Sequence, residues 1–131
     1  MKLLLDTCAL IWSLEDHPCL LPEVRQQIAD STNEVFISAA SAWEIEIKKK
    51  NQKLNFDCPD DLLEAIIYTG FNLLSISVHH AIKAGSLPLH HKDPFDRILI
   101  AQAMLEKMIL VTSDTKIIGQ YGVPFLLATK I

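Results

Sequence analysis

Residues 93–114 read DPFDRILIAQAMLEKMILVTSD and contain one helix, one strand and the turns that bound them. Asp93-Pro94 is typical of a helix start, and the apolar spacing after it predicts a helix that ends near Lys107. Met108–Val111 is a short and wholly apolar run, which predicts a buried strand. An acidic residue, Asp114, follows this strand after two small polar residues. The stretch therefore predicts a helix that leads into a buried strand whose far end is acidic.

The same alternation of short apolar runs and helical stretches continues through the whole chain. The predicted strands are Lys2–Leu5, Val35–Ile37, Phe71–Ile76, Met108–Val111 and Val123–Leu127. The predicted helices run through Leu10–Leu14, Pro22–Ile28, Ala42–Ile47, Pro59–Gly70, Val78–Ala84, Pro94–Lys107 and Thr115–Gln120. Strands that alternate with helices usually run parallel. The sequence therefore predicts an α/β fold, a three-layer α/β/α sandwich with a mainly parallel central sheet, in a single domain over residues 1–131.

Composition is that of a soluble globular protein. Of the 131 residues, 50% are hydrophobic and 21% are charged. No apolar run approaches the roughly 18 residues that a membrane-spanning helix needs, so we expect no membrane association and a cytoplasmic location. The net charge of −4 argues against a protein that coats nucleic acid by charge alone, unless some of the acids bind metal ions.

Cysteine and histidine show no metal-binding spacing. Cys8, Cys19 and Cys58 are odd in number and form no CxxC pair, so we expect reduced, mostly buried thiols. The histidines His79-His80 and His90-His91 are adjacent pairs without zinc-ligand spacing to a cysteine or to one another. A zinc site is therefore not predicted.

Four acidic residues stand where a parallel sheet forms its functional edge, because each follows a predicted strand or opens a helix: Asp6, Glu44, Asp96 and Asp114. Ligands bind beyond the carboxyl ends of parallel strands. Two carboxylates about 4 Å apart repel by about 4 kcal/mol at an effective dielectric constant near 20. A shared cation removes this repulsion, and hard carboxylate oxygens favour Mg²⁺ or Mn²⁺.

Each acid also has a purely structural explanation. Asp6 suits the N-cap of the helix that follows it, and Asp114 suits a turn. Glu44 fits a capping box with Ser41, although Ser38 competes for the cap, and it also stands four residues before Lys48. Asp96 suits the dipole of a helix that Asp93 caps. The four positions together, rather than any one of them, predict a metal site.

The basic and aromatic residues near these acids are less specific. Lys48-Lys49-Lys50 with Lys53 is a basic run, and Lys48 is predicted to contact substrate phosphate. Arg97 is predicted to orient a carboxylate or to bind a phosphate through its guanidinium group. Trp12 and Trp43 lie on apolar helix faces and are predicted to belong to the core.

Four stretches resemble the motifs of PIN-domain proteins, most closely the VapC-like toxins of bacterial toxin–antitoxin pairs. They are LLLDT at 3–7, SAASAWEI at 38–45, DPFDRILIAQA at 93–103 and LVTSD at 110–114. The resemblance extends over nearly the whole chain, and the third motif is long and specific. One departure is Gln52, because similar proteins often have glycine before the residues that match Lys53-Leu54.

The resemblance implies an endoribonuclease that depends on Mg²⁺ or Mn²⁺. It implies an acidic quartet formed by Asp6, Glu44, Asp96 and Asp114, with Asp6 and Asp96 as the most direct metal ligands. Asp93 and Arg97 match flanking positions of the third motif. It also implies a homodimer and a small antitoxin protein whose tail enters the active-site groove.

The sequence therefore predicts metal-assisted hydrolysis of RNA phosphodiester bonds. The alternative from another class is a catalytically inactive PIN-fold module that binds RNA or assembles with a protein partner. Acid-metal phosphatase chemistry is disfavoured because Asp6 is followed by Thr7-Cys8 rather than by the second acid of an Asp-x-Asp motif. Nothing in the sequence identifies the target RNA.

Overall fold

A computed structural model describes residues 1–51, 59–90, 92–114 and 120–129 of the chain. The strands within these residues are β1 (Lys2–Leu5), β2 (Glu34–Ser38), β3 (Asn72–Leu74), β4 (Ile109–Thr112) and β5 (Phe125–Leu127). The helices are α1 (Thr7–Leu14), α2 (Pro22–Ala29), α3 (Ala39–Lys50), α4 (Leu62–Tyr68), α5 (Val78–Ser86) and α6 (Pro94–Glu106). The helix predicted over Thr115–Gln120 and the Gln52 loop lie outside the described residues, Gln120 excepted.

The five strands form one sheet in the order β3-β2-β1-β4-β5, and every neighbouring pair is parallel. Helices cover both faces, because the strands bury side chains on each side. Leu3 and Leu5 of β1 pack with α1, α2 and α4, whereas Leu4 packs with α5 and α6. The predicted three-layer sandwich with a parallel sheet is confirmed.

Several element boundaries differ from the prediction, and three of these differences have a local cause. β3 covers only Asn72–Leu74, because Ser77 already caps α5 by accepting the His80 N–H. β5 begins at Phe125, after Pro124, which has no N–H to donate. α5 continues past Gly85 to Ser86, because Gly85 does not have the left-handed backbone that ends a helix.

Helix caps explain why several elements begin where the sequence indicated. Asp61 caps α4 by accepting the Glu64 N–H at 3.0 Å, and the left-handed Gly70 follows its end with φ of 84°. Pro22 occupies the first turn of α2, where a missing N–H costs no hydrogen bond. Across the ranges described, no helix has both the length and the apolar character needed to cross a membrane.

Candidate active site

The register of the sheet brings the ends of the central strands to one level. Leu5 of β1 lies opposite Ile37 of β2 and opposite Val111 of β4. Asp6 is the next residue after β1, and its N–H donates to the Val111 carbonyl oxygen at 2.9 Å. The ends of β1, β2 and β4 therefore lie side by side at the carboxyl edge of the sheet.

Asp6 is buried at this edge, with 6% of its surface exposed. Its Oδ1 accepts the Ala9 N–H at 2.8 Å and caps α1, and the Thr112 hydroxyl and Ser113 N–H also donate to the carboxylate. Burial raises the pKa of Asp6 to about 6, these three hydrogen bonds oppose the rise, and the charge of Glu44 adds to it. Asp6 is thus a helix cap and also a carboxylate in unfavourable surroundings.

The start of α3 decides between the two explanations offered for Glu44. Ser38 caps the helix by accepting the Ala40 N–H at 3.0 Å. The capping box predicted as an alternative for Ser41 and Glu44 is therefore wrong. Glu44 lies one turn further along α3, where its side chain turns inward and is buried.

Glu44 has two protein partners, one for each carboxylate oxygen. The Thr7 hydroxyl donates to Oε1, and the Lys48 ammonium lies 3.0 Å from Oε2. Thr7 therefore holds Glu44 through this hydrogen bond. These contacts join the start of α1 to α3 and fix the Glu44 carboxylate next to Asp6.

α6 begins as its sequence predicts. Asp93 caps it by accepting the N–H groups of Phe95 at 2.9 Å and Asp96 at 3.4 Å, which confirms Asp93 as the N-cap. Asp96 consequently lies in the first turn and is half-buried. This end of α6 faces α3, because Trp43 of α3 and Phe95 contact each other with ring centroids 5.2 Å apart.

The thiol of Cys8 shows that three of the acids share one region. Partial burial raises the pKa of Cys8 to about 11, and the charges of Asp6, Glu44 and Asp96 add to this rise while Lys48 opposes it. A through-space effect on a single thiol requires all three carboxylates to lie on the same side of the molecule. We call the region formed by Asp6, Glu44, Asp96 and Asp114 the acidic edge.

Asp114 completes this edge at the end of β4. Its N–H donates to the Thr112 hydroxyl oxygen at 3.0 Å, and its side chain is half-buried. The Thr112 hydroxyl in turn donates to Asp6. Thr112, which no sequence pattern marked as a site residue, therefore connects two acids through one hydroxyl group.

The donor chemistry of the acidic edge fits a hard divalent cation. Carboxylate oxygens are the ligands that Mg²⁺ and Mn²⁺ prefer, and a cation would relieve the repulsion between Asp6 and Glu44. In the part of the chain that the structure describes, no three acidic, histidine or cysteine side chains converge closely enough to bind a metal ion. The acidic edge therefore fits a divalent cation in the type and charge of its donor atoms. In their present conformations, the described side chains do not form a complete coordination shell.

The contacts of Arg97 lie within the protein. It is buried, and its guanidinium group donates to the carbonyl oxygens of Ala84 at 2.7 Å, Leu87 at 2.9 Å and Pro88 at 3.0 Å. Three of its N–H groups are therefore engaged by backbone carbonyls, and the role of Arg97 in phosphate binding stays a prediction. Arg97 fixes the segment between α5 and α6 through these hydrogen bonds. Lys48, half-exposed beside Glu44, keeps its ammonium group at the acidic edge.

Two predictions of burial were wrong. Trp43 is 62% exposed, although Trp12 packs against the core as predicted. Cys8 and Cys19 are free, but both are exposed rather than buried, and Cys58 lies outside the described residues. The face of α3 that is buried carries Ala40, Ser41, Glu44 and Ile45, which leaves Trp43 on the outer face.

His80 and His90, one from each adjacent pair, have side-chain contacts within the protein. His80 is buried, its Nδ1 accepts the Ser77 N–H at 3.0 Å, and its Nε2 lies 3.3 Å from Glu106. His90 contacts the ring of Tyr121. His91 lies outside the described residues.

Three solved structures show a similar fold. VapBC2 from Rickettsia felis, bound to a DNA fragment from its promoter, has a TM-score of 0.70 at 15% identity, with 98% of this chain and 99% of that chain covered. A toxin–antitoxin complex from Klebsiella pneumoniae has a TM-score of 0.64 at 23% identity, covering 98% of both chains. FitAcB from Neisseria gonorrhoeae has a TM-score of 0.63 at 18% identity, covering 95% and 96%. At these identities, the similarity shows the fold.

The sequence itself matches a known family over most of its length. No curated protein sequence matches the chain. The family model of the PIN domain, however, matches residues 3–122. This range includes all four residues of the acidic edge. The chain therefore belongs to the PIN domain family.

Proposed function

We propose that this protein is an endoribonuclease that depends on Mg²⁺ or Mn²⁺ and is the toxin of a toxin–antitoxin pair. Membership of the PIN domain family and the fold shared with toxin–antitoxin structures support this proposal. The observation that carries it is the placement of the buried Asp6 carboxylate beside Glu44. Asp96 lies close enough to act electrostatically on the Cys8 thiol, as Asp6 and Glu44 also do. Such an arrangement of acids is unfavourable without a cation.

In this proposal, Asp6 and Asp96 hold the ion, and Asp114 completes its surroundings, directly or through a water molecule. Glu44 helps to position the ion and the attacking water. Lys48, which pairs with Glu44, contacts a substrate phosphate from the exposed side. When bound, the divalent ion lowers the pKa of a water molecule and offsets negative charge on the phosphoryl oxygens.

The proposed reaction is hydrolysis of one phosphodiester bond. The water oxygen forms a bond to phosphorus, and the bond between phosphorus and the 3′ oxygen breaks. The water loses a proton, and the leaving 3′ oxygen takes one up. The products are a 5′-phosphate end and a 3′-hydroxyl end, with inversion at phosphorus. The reaction would occur in the cytoplasm, where the RNA substrate is found.

A toxin also needs a small antitoxin protein, and we propose a homodimer that binds one. A groove of about 580 Å³ lies between α3, α4 and β3. Its floor is apolar, with Leu62, Leu63 and Leu73 among the lining residues, and its rim carries Glu46, Asp60 and Asp61. An apolar segment with flanking basic residues would complement this groove in both shape and charge.

The second candidate is a PIN-fold module that has no nuclease activity and binds RNA or a protein. One observation favours it: no three of the described acidic, histidine or cysteine side chains form a metal-binding group, and both Glu44 oxygens already have partners. A nuclease must move at least one of these side chains when it binds the ion, whereas a binding module need not.

RNA cleavage separates the two candidates. Purified protein is incubated with tRNA, rRNA and an unstructured synthetic RNA in Mg²⁺ or Mn²⁺, and the ends of the products are analysed. We expect 5′-phosphate products that disappear in EDTA. Loss of a residue that only supports a metal ligand typically lowers metal affinity or activity by roughly 10- to 100-fold. Asp96 is proposed to be a ligand itself, so Asp96→Asn should reduce the cleavage rate by at least about 100-fold.

Glu34→Gln is the matched control, because Glu34 is an exposed acid at the start of β2, at the opposite edge of the sheet. It should cleave like the unmodified protein. The proposed mechanism is wrong if cleavage survives both EDTA and Asp96→Asn, or if no RNA is cleaved under any of these conditions. Inhibition of the cleavage by a small protein encoded beside this one would support the toxin role.

A further inference from the structure

Trp43 exposes an unusually large apolar surface beside the acidic edge. Its side chain is 62% exposed, whereas aromatic residues of this size usually bury most of their surface. The ring is nevertheless held in place, because it packs against Phe95 with centroids 5.2 Å apart and planes at 76°. Rings at this angle do not cover each other face to face, so a flat aromatic surface stays open to solvent.

The position of this aromatic pair links it to the acidic edge. Trp43 directly precedes Glu44 on α3, and Phe95 directly precedes Asp96 on α6. The pair therefore connects the two helices that carry these acids, at the place where the helices pack together. A molecule held by the acids would have its neighbouring atoms within reach of the indole ring.

The size of the open surface fits a single base better than a protein surface. Among the residues described, Trp43 is the only large apolar side chain of α3 that is exposed, so the open surface is about that of one ring system. Lys48 is half-exposed, and Lys92 is exposed shortly before Phe95. A flat base on the indole with its phosphates toward lysines matches this arrangement.

We propose that Trp43, supported by Phe95, is a stacking platform for one unpaired base of the RNA substrate. The inference rests on the proposed function for the identity of the substrate. A base in a duplex is already stacked on its neighbours, so the platform selects single-stranded or looped RNA. Stacking tolerates different bases, so Trp43 contributes affinity and a preference for unpaired RNA rather than a sequence preference.

Binding is measured through the emission of Trp43 itself. Trp43 and Trp12 are the two tryptophans of the chain, so Trp12→Phe leaves Trp43 as the sole tryptophan. Short unpaired RNA is titrated at low salt, up to millimolar concentration, in EDTA to prevent metal-dependent cleavage. We expect a saturable change in emission. A parallel titration of labelled RNA should show that Trp43→Ala weakens affinity by roughly tenfold, within the range known for base–aromatic stacking.

Three comparisons make the assay specific. Trp43→Phe keeps an aromatic face and should retain most of the affinity. Tyr68→Ala removes a 92% exposed aromatic side chain at the end of α4, near the opposite edge of the sheet, and should bind RNA normally. RNA with abasic sites should bind the unmodified protein and Trp43→Ala equally, because it offers no base to stack.

The inference is overturned if Trp43 emission does not respond to RNA, or if Trp43→Ala binds base-containing RNA as well as the unmodified protein does. Equal loss of affinity for abasic RNA also overturns it, because Trp43 would then act without a base. Conversion of a dimer into a monomer by Trp43→Ala, seen by sedimentation velocity, would assign the side chain to a protein contact. Base-dependent binding without cleavage would leave this inference standing and refute the nuclease instead.

Discussion

Asp6 confirms the prediction of a helix cap, and its position is also compatible with its predicted role as a metal ligand. It caps α1 through the Ala9 N–H, as a purely structural aspartate would. It is also buried beside Glu44, as a metal ligand would be. The sequence indicated both possibilities but not their coexistence, because burial and the hydrogen bonds from Thr112 and Ser113 depend on tertiary structure.

The raised pKa of Asp6 predicts how pH affects the stability of the metal-free protein. The folded-state pKa of about 6 lies above the ordinary 3.8, so the folded protein binds this proton more tightly than the unfolded chain does. The contribution of the protonated Asp6 carboxyl to the free energy of unfolding is complete below pH 3.8 and is lost as pH rises through about 6. The gap between the folded and unfolded pKa values corresponds to on the order of 3 kcal/mol.

Asp6→Asn removes this ionisation and keeps an oxygen for the Ala9 N–H. In EDTA, its free energy of unfolding should rise relative to that of the unmodified protein as pH increases from 4 to 7. Urea unfolding at several pH values measures this difference, and Glu34→Gln controls for the loss of a negative charge elsewhere. A difference for Asp6→Asn that stays constant with pH would show that the carboxylate ionises without penalty.

At the scale of elements, short-range signals predicted where helices begin but not which faces they bury. Asp93-Pro94 and Asp61 mark the starts of α6 and α4, because caps act within one turn. On α3, the apolar pattern favoured an inward Trp43. The structure instead buries Ala40, Ser41, Glu44 and Ile45. On this inward face, Glu44 contacts Thr7 and Lys48. Thr7 is 37 residues away in the sequence, so the local pattern could not indicate this contact.

Arg97 shows most clearly that the position of a residue in the sequence can suggest one role while its three-dimensional contacts indicate another. Its place beside Asp96 suggested phosphate binding, but its guanidinium group reaches back to the segment between α5 and α6. The sequence could not show this, because the three carbonyl oxygens belong to residues up to 13 positions away. Arg97 therefore supports the site by fixing a neighbouring segment.

This role predicts a loss of stability when Arg97 is replaced by lysine. Arg97→Lys keeps the charge but leaves buried carbonyl oxygens without donors, which should cost on the order of 1–3 kcal/mol. Lys92→Gln, at an exposed cation nearby, should change stability by less than about 0.5 kcal/mol. Chemical denaturation compares the two. Unchanged stability of Arg97→Lys, together with weaker RNA binding, would support the phosphate-binding role.

For the whole molecule, the order of elements was enough to predict the fold. Alternating strands and helices gave the parallel sheet, and its register then placed Asp6 level with the ends of β2 and β4. The edge strands were predicted too long, because β3 and β5 each pair on one side only. The four acids were singled out because each follows a predicted strand or opens a helix, whereas Thr112 and the open face of Trp43 required the three-dimensional structure.

The acidic edge also gives the molecule an uneven charge distribution. The chain has a net charge of −4, and four of its acids belong to this one region. Repulsion would weaken the binding of a polyanion such as RNA near that region unless a cation were bound there. The central claim is therefore that distant carboxylates form one site for a divalent ion.

Isothermal titration calorimetry with Mn²⁺ tests this claim most directly, because it requires neither a known RNA nor a partner protein. The unmodified protein, Asp6→Asn, Asp96→Asn and Glu34→Gln are titrated at one pH above 7. The unmodified protein and Glu34→Gln should bind Mn²⁺ equally well, and each of the other two variants should bind at least about tenfold more weakly. Equal affinity in all four proteins, or no binding by any of them, would contradict the account.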